Sequence, residues 1–80
     1  MHELGLTRNI VSIVREHAKG RAVKRIKLLI GPLACIEKRA LEFCFETLAA
    51  GTEFEKAILE IVDGEGDAFL IKEYELEEIS

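Results

Sequence analysis

The residues with the clearest capacity for chemistry lie at the start of the chain, in the run MHELGL. The amine of Met1, the amide nitrogen of His2 and the His2 imidazole are covalently close, so they can close fused chelate rings around one metal ion. The amide nitrogen of Glu3 can complete four nitrogens in a plane. Square-planar nitrogen coordination suits Ni(II) and Cu(II) far better than Zn(II), which prefers a tetrahedron. The alternative is that His2 is an ordinary solvated side chain, and the rest of the sequence has to decide between the two.

Length and composition predict one packed domain, residues 1–80. The chain has 80 residues, 49% of them hydrophobic, which favours a globular core over disorder. A net charge of -4 argues against nonspecific binding to nucleic acid or to anionic membranes. No apolar run reaches the roughly 18 residues of a membrane span, and no signal-peptide pattern is present. Cys35 and Cys44 are too few and too far apart for a disulfide scaffold or a CxxC metal clip, so we expect a reducing cytoplasm.

Two segments have the apolar spacing of amphipathic helices. The first spans about residues 4–19 and is stopped by Gly20, with His17 on the surface near its end. The second lies within residues 36–52, begins near the acidic Glu37 and is capped by Gly51. Its apolar stripe comprises Ala40, Leu41, Cys44, Phe45 and Leu48.

Three segments have the alternation of strands. They are VKRIKLLIG at residues 23–31, AILEIV at 57–62 and AFLIKEYEL at 68–76. The run DGEGD, residues 63–67, predicts a tight turn that joins the last two strands as a hairpin. The predicted fold is α+β in the order α-β-α-β-β, with two helices packed on one face of a three-stranded mixed sheet.

Charge is distributed unevenly over these strands. KGRAVKRIK, residues 19–27, is basic, and EYELEE, residues 73–78, is acidic. One interpretation places Arg25 and Lys27 opposite Glu73 and Glu75 on the solvated face of the sheet, where the charges complement one another. The other interpretation is a basic strip that docks an acidic partner.

Taken together, these segments resemble the HypA/HybF family of nickel-insertion chaperones used in maturing nickel–iron hydrogenase. The resemblance rests on MHEL, VKRIKLLIG, GPLACIEKRALEFCFETLAAGT, AILEIV and IKEYELEE, which follow in order along nearly the whole chain. One departure is large. Family members carry a zinc-binding segment with two CxxC motifs between the last two strands, where this chain has only the turn of residues 63–67. We therefore expect a nickel-binding domain without the zinc domain, and no bound zinc.

The resemblance implies Ni(II) as the metal and Met1, His2 and Glu3 as its site, although geometry alone also admits copper. It implies two partners, a hydrogenase-maturation GTPase and the hydrogenase large subunit; a homodimer is possible. Glu37 is a weaker candidate for a neighbour of the site, because the family places an acidic residue where the second helix begins.

Nothing in the sequence predicts an enzyme. There is no nucleophile–base pair and no phosphate-cradling glycine loop, and His17 and Cys44 are better explained by a helix end and by packing. The alternative function is a metal-independent interaction module that retains only the family's docking surface.

Overall fold

The computed structural model describes residues 3–78, which form two helices, a short 3-10 turn and three strands. The α+β class and the order α-β-α-β-β are confirmed. The elements are α1 (Glu3–Ala18), β1 (Val23–Ile30), a 3-10 turn (Pro32–Ala34), α2 (Lys38–Ala49), β2 (Ile58–Asp63) and β3 (Phe69–Leu76).

Both helices end where the sequence places a glycine. α1 stops at Ala18, and Gly20 follows with a φ of 88°; α2 stops at Ala49, and Gly51 follows with a φ of 76°. Positive φ is the conformation in which glycine carries no Cβ penalty, so these residues end the helices at little cost. The helices pack on each other and bury one face each. The buried residues are Thr7, Ile10, Val11, Val14 and Ala18 of α1, and Leu41, Phe45 and Ala49 of α2.

Strand β1 is the centre of the sheet, whose order is β2-β1-β3. It pairs in parallel with β2, to which α2 connects it, and antiparallel with β3. Ile26 and Leu28 are completely buried beneath the helices, as the alternation predicts.

The predicted hairpin between the last two strands is wrong. β2 and β3 lie on opposite sides of β1 and do not pair with each other. Residues 64–68 instead cross over the end of β1. Two strand spacings are about 10 Å, which a five-residue connection can span. A short glycine-bearing link is therefore compatible with both topologies, and local turn chemistry could not distinguish them.

The crossing segment is fastened to the end of β1 by backbone hydrogen bonds. Gly64 N donates to Ile30 O at 2.8 Å, and Gly31 N donates to Ala68 O at 2.8 Å. A Cβ at Gly31 would collide with the backbone of Glu65 and Gly66, so this close approach requires glycine.

The interpretation of complementary charges on the solvated sheet face is confirmed. The Arg25 guanidinium contacts Glu60 of β2 at 2.7 Å, and Glu73 and Glu75 of β3 at 3.3 Å each. Lys27 Nζ lies 3.7 Å from Glu73. The hydrogen bond and charge of Arg25 hold the pKa of the Glu60 carboxyl below its usual value. Two of the five basic residues in residues 19–27, Arg25 and Lys27, are thus paired within the domain.

Candidate metal centre

Of the three residues predicted to hold metal, the structure describes one. Met1 and His2 lie outside the described residues. Glu3 is the first residue of α1 and is partly buried. The structure therefore describes the candidate centre only through Glu3, at the start of α1.

Two contacts fix Glu3. The Thr7 hydroxyl donates to the Glu3 carbonyl oxygen at 2.6 Å, and Thr7 itself is completely buried. The Glu3 carboxylate accepts a hydrogen bond from the Glu37 backbone N–H, with Oε2 at 3.2 Å from the nitrogen. The first contact ties Glu3 to its own helix, and the second ties it to the segment before α2.

The backbone nitrogen of Glu3 lies in the first turn of α1. The N–H groups of a first turn make no hydrogen bond within their helix, so α1 would lose no helical bond if a metal replaced an amide proton there. The positive end of the helix dipole opposes a cation there. The Glu3 carboxylate, held against the Glu37 N–H, is a negative charge near that end and would offset part of the opposition.

Glu37 is the N-cap of α2. Its Oε1 accepts from the Arg39 backbone N–H at 3.0 Å, which is the role of a helix-start carboxylate. The same residue meets Glu3 through its backbone. The sequence placed Glu37 at a helix start but carried no signal that its backbone N–H would bond to Glu3, because that contact joins residues 34 positions apart.

A crevice of about 730 Å³ adjoins Glu37 at the ends of β1 and β2. Cys35 is exposed there, and Lys38 Nζ pairs with Asp63 at 3.2 Å. Cys44 lies half-buried on α2. Within residues 3–78, no three His, Cys, Asp or Glu side chains converge to hold a metal ion. The described part of the chain therefore offers no complete ligand set of its own.

His17 lies far from the candidate centre. It is fourteen residues beyond Glu3 on α1, and the helical rise separates the two by about 21 Å. Its ring stacks on Tyr74 of β3 with centroids 6.1 Å apart. The sequence predicts an exposed position near the helix end, which the structure confirms, but it did not indicate the aromatic contact.

None of the helices described is long and apolar enough to cross a membrane.

The described geometry defines a small α+β domain whose first helix begins at Glu3, a residue held by Thr7 and by the backbone of Glu37. A family described as "Hydrogenase/urease nickel incorporation, metallochaperone, hypA" matches residues 1–69. The chain belongs to this HypA family, as the resemblance implied.

Curated relatives of this chain carry the name of the same family. The hydrogenase maturation factor HypA of Trichodesmium erythraeum (strain IMS101) is 53% identical over 62 residues, which cover 78% of this chain and 54% of the relative. That of Nostoc sp. (strain PCC 7120 / SAG 25.82 / UTEX 2576) is 54% identical over 61 residues, 76% of this chain and 54% of the relative. The chain spans about half the length of the curated relatives it matches.

Solved structures share the fold. The solution structure of the Ni metallochaperone HypA from Helicobacter pylori superimposes with a TM-score of 0.72 at 21% identity, covering 98% of this chain and 95% of that one. A second solution structure, of HypA protein, gives 0.67 at 22% identity, covering 98% of this chain and 93% of that one. At this identity the likeness establishes the fold alone.

Proposed function

We propose that this chain binds Ni(II) as cargo through the amine of Met1, the amide and imidazole nitrogens of His2 and the amide nitrogen of Glu3. The observation that carries the proposal is the fixed position of Glu3 at the first residue of α1, in a chain of the nickel-incorporation family. The last donor of the chelate is held rigidly, while the donors before it need no support beyond their covalent link. Nickel held by these first three residues would lie at the start of α1 and need not enter the core, so it could be accepted and released without unfolding the domain.

We further propose that the domain acts in hydrogenase maturation, with a GTPase and the hydrogenase large subunit as partners. The curated relatives are named hydrogenase maturation factors, and this supports the assignment. We propose no catalytic step, because delivery of an ion needs none. We also propose a cytoplasmic setting, to which the free thiols of Cys35 and Cys44 are suited.

The turn of residues 63–67 is proposed to stand where the longer family members carry their zinc segment, so that residues 1–80 act as the nickel-binding domain alone. Zinc is not expected to bind. Elemental analysis of the purified chain tests this, and stoichiometric zinc would contradict it.

Isothermal titration with Ni(II) tests the nickel site. The protein is untagged, and mass spectrometry verifies that Met1 is its first residue. We expect one nickel per chain and the visible absorption of a square-planar nitrogen complex. Acetylation of the amine or the substitution His2→Ala should abolish both.

His17→Ala is the matched control, because it removes the other of the chain's two histidines. It should leave nickel binding intact. If verified, untagged protein takes up no nickel, or if His17→Ala is as damaging as His2→Ala, the proposed site is wrong. Partner binding that survives in a chain unable to take up nickel would favour the metal-independent module instead.

A further inference from the structure

Strand β2 has a free edge. It pairs with β1 on one side, and no other strand formed by residues 3–78 lies beyond it. Its pairing with β1 runs from Ile58 to Asp63 without a register shift. An edge strand in regular register presents its outward N–H and C=O groups in order, which is the template on which another strand can add.

The other edge of the sheet is less suited to strand addition. The pairing of β3 with β1 is interrupted by two register shifts, one of them between Lys27 and Leu28. Such irregularities bend a strand and disturb the order of its free groups. The two charged side chains of β2 give no comparable protection. The Glu60 carboxylate is held against Arg25 at 2.7 Å and so points back towards β1, and Asp63 is the last residue of the strand and pairs with Lys38.

A groove runs beside the free edge of β2, between this strand and α2. Its volume is about 380 Å³. Phe45, Ala57 and Leu59 contribute apolar surface to it, and Glu42 and Glu46 of α2 contribute charge. Ile58 stands at its end and is 62% exposed, which is high for a large apolar side chain.

Glu42 and Glu46 give the groove a negative charge. Glu42 and Glu46 are one helical turn apart, both are exposed, and their carboxylates form no ion pair or hydrogen bond with residues 3–78. Like charges at this spacing repel each other and destabilise a helix slightly. A cation placed between them would relieve that repulsion.

We propose that this groove binds an extended segment of a partner protein, which adds to β2 as a fourth strand of the sheet. Successive side chains of a strand point to opposite faces. On the helix side the segment carries basic residues, which meet Glu42 and Glu46. On the solvated side it carries apolar residues, which cover Ile58 and Val62. The groove makes no use of the proposed nickel donors, so it stands or falls independently of them.

A second copy of this chain does not fit the groove. If two β2 strands paired edge to edge, each copy would bring its own Glu42–Glu46 pair towards the other. The other edge strand, β3, carries one lysine and two glutamates, so it is net acidic and does not complement the groove. Charge complementarity therefore favours a chemically different, basic segment.

The probe is a labelled, capped peptide of alternating lysine and valine, long enough to pair with all of β2. Binding to the whole chain is followed by fluorescence anisotropy, and the site is mapped by amide chemical shifts. We expect the shifts to concentrate in residues 58–63 and 42–46. A peptide with glutamate in place of lysine should not bind, and N-methylation of alternate amides should abolish binding because it removes the strand hydrogen bonds.

The variant E42K/E46K should weaken binding of the lysine peptide by about tenfold or more. The matched control is E65K/E78K, which makes the same change in net charge at exposed residues outside the groove, and should have a smaller effect. Circular dichroism confirms that both variants are folded.

The proposal is overturned if the lysine peptide fails to bind, if its shifts map elsewhere, or if the two double variants weaken it equally. Equal binding of the glutamate or N-methylated peptide also overturns it. Concentration-dependent protection of β2 from hydrogen exchange without peptide would show that a second copy is the occupant.

Discussion

The start of α1 and the solvated face of the sheet are held by different kinds of polar contact. At the start of α1, a completely buried hydroxyl of Thr7 fixes one carbonyl, that of Glu3. On the sheet face, the accessible guanidinium of Arg25 gathers three carboxylates from both neighbouring strands. A buried hydrogen bond is hard to replace with water, whereas exposed ion pairs exchange readily with water and salt. We therefore expect the single hydrogen bond of Thr7 to contribute more to the stability of the fold than the exposed ion pairs of Arg25.

Nickel affinity at the start of α1 and the stability of the folded domain should depend on pH in different ranges. The pH dependence of nickel affinity is the largest effect that we expect. At the proposed site nickel would displace two amide protons, and the reference pKa values of an α-amine and an imidazole are about 7.7–8.0 and about 6.5. Between about pH 7.5 and about pH 6, nickel affinity should fall by about a thousandfold or more, with release at about pH 6 or below. Titrations at several pH values measure this, and an unchanged affinity would contradict the nitrogen chelate.

The stability of the folded domain should not change between about pH 7.5 and about pH 6. The pKa of Glu60 is lowered by Arg25, and the pKa of Glu53 is lowered by its hydrogen bonds with Arg15. A carboxyl whose folded pKa is lowered stabilises the fold fully above its ordinary value of about 4.3, and this stabilisation is lost as pH falls through the lowered folded pKa. Thermal unfolding should therefore be nearly constant from pH 7.5 to 6.

The role of the Glu3 backbone can be separated from that of its carboxylate. Glu3→Pro removes the amide proton, and proline is tolerated at the first position of a helix. Glu3→Ala keeps the amide and loses only the bond to Glu37. Nickel affinity should fall more than about a hundredfold for proline, because a lost ligand weakens binding more than a lost outer partner does. If both variants bind nickel equally, the Glu3 nitrogen is not a donor.

Thr7→Val tests the buried hydroxyl. It keeps the shape of the side chain and should destabilise the fold by about 1 kcal/mol. Thr47→Val is the matched control, because Thr47 makes the same contact with the carbonyl four residues earlier, at 3.0 Å to Phe43, but on an exposed surface. Denaturant unfolding should show a lower free energy of unfolding for Thr7→Val and little change for Thr47→Val. Equal losses would show that burial is not the deciding factor.

Arg25→Gln should destabilise the fold less than Thr7→Val does, and the effect should shrink in high salt because exposed charges are screened. Arg39→Gln gives the same change in charge at an exposed guanidinium that forms no ion pair with residues 3–78. Melting temperatures at low and high salt compare them. If Arg25→Gln lowers the stability of the fold more than Thr7→Val does, the exposed ion pairs matter more than the buried hydrogen bond, and our expectation is wrong.

The sequence predicted what depends on neighbours along the chain. Apolar spacing located both helices, Gly20 and Gly51 marked their ends, and alternation placed Arg25 and Lys27 on the solvated face. It predicted the wrong pairing for the last two strands, because the short link that can close a hairpin can also cross over β1 to its other edge. The contact between Glu3 and Glu37 was also out of reach, since it depends on how the helices pack.

The fastening of residues 64–68 to β1 has a consequence for the length of this region. Gly64 and Ala68 each bond to the end of β1, so the entry and exit of the connection are set by the sheet and not by the residues between them. Chain added between these two anchor points would emerge as an outgrowth above the central strand and leave the pairing of all three strands unchanged. The domain can therefore accept or lose an inserted segment between Gly64 and Ala68 while the three-stranded sheet and its helices keep their fold.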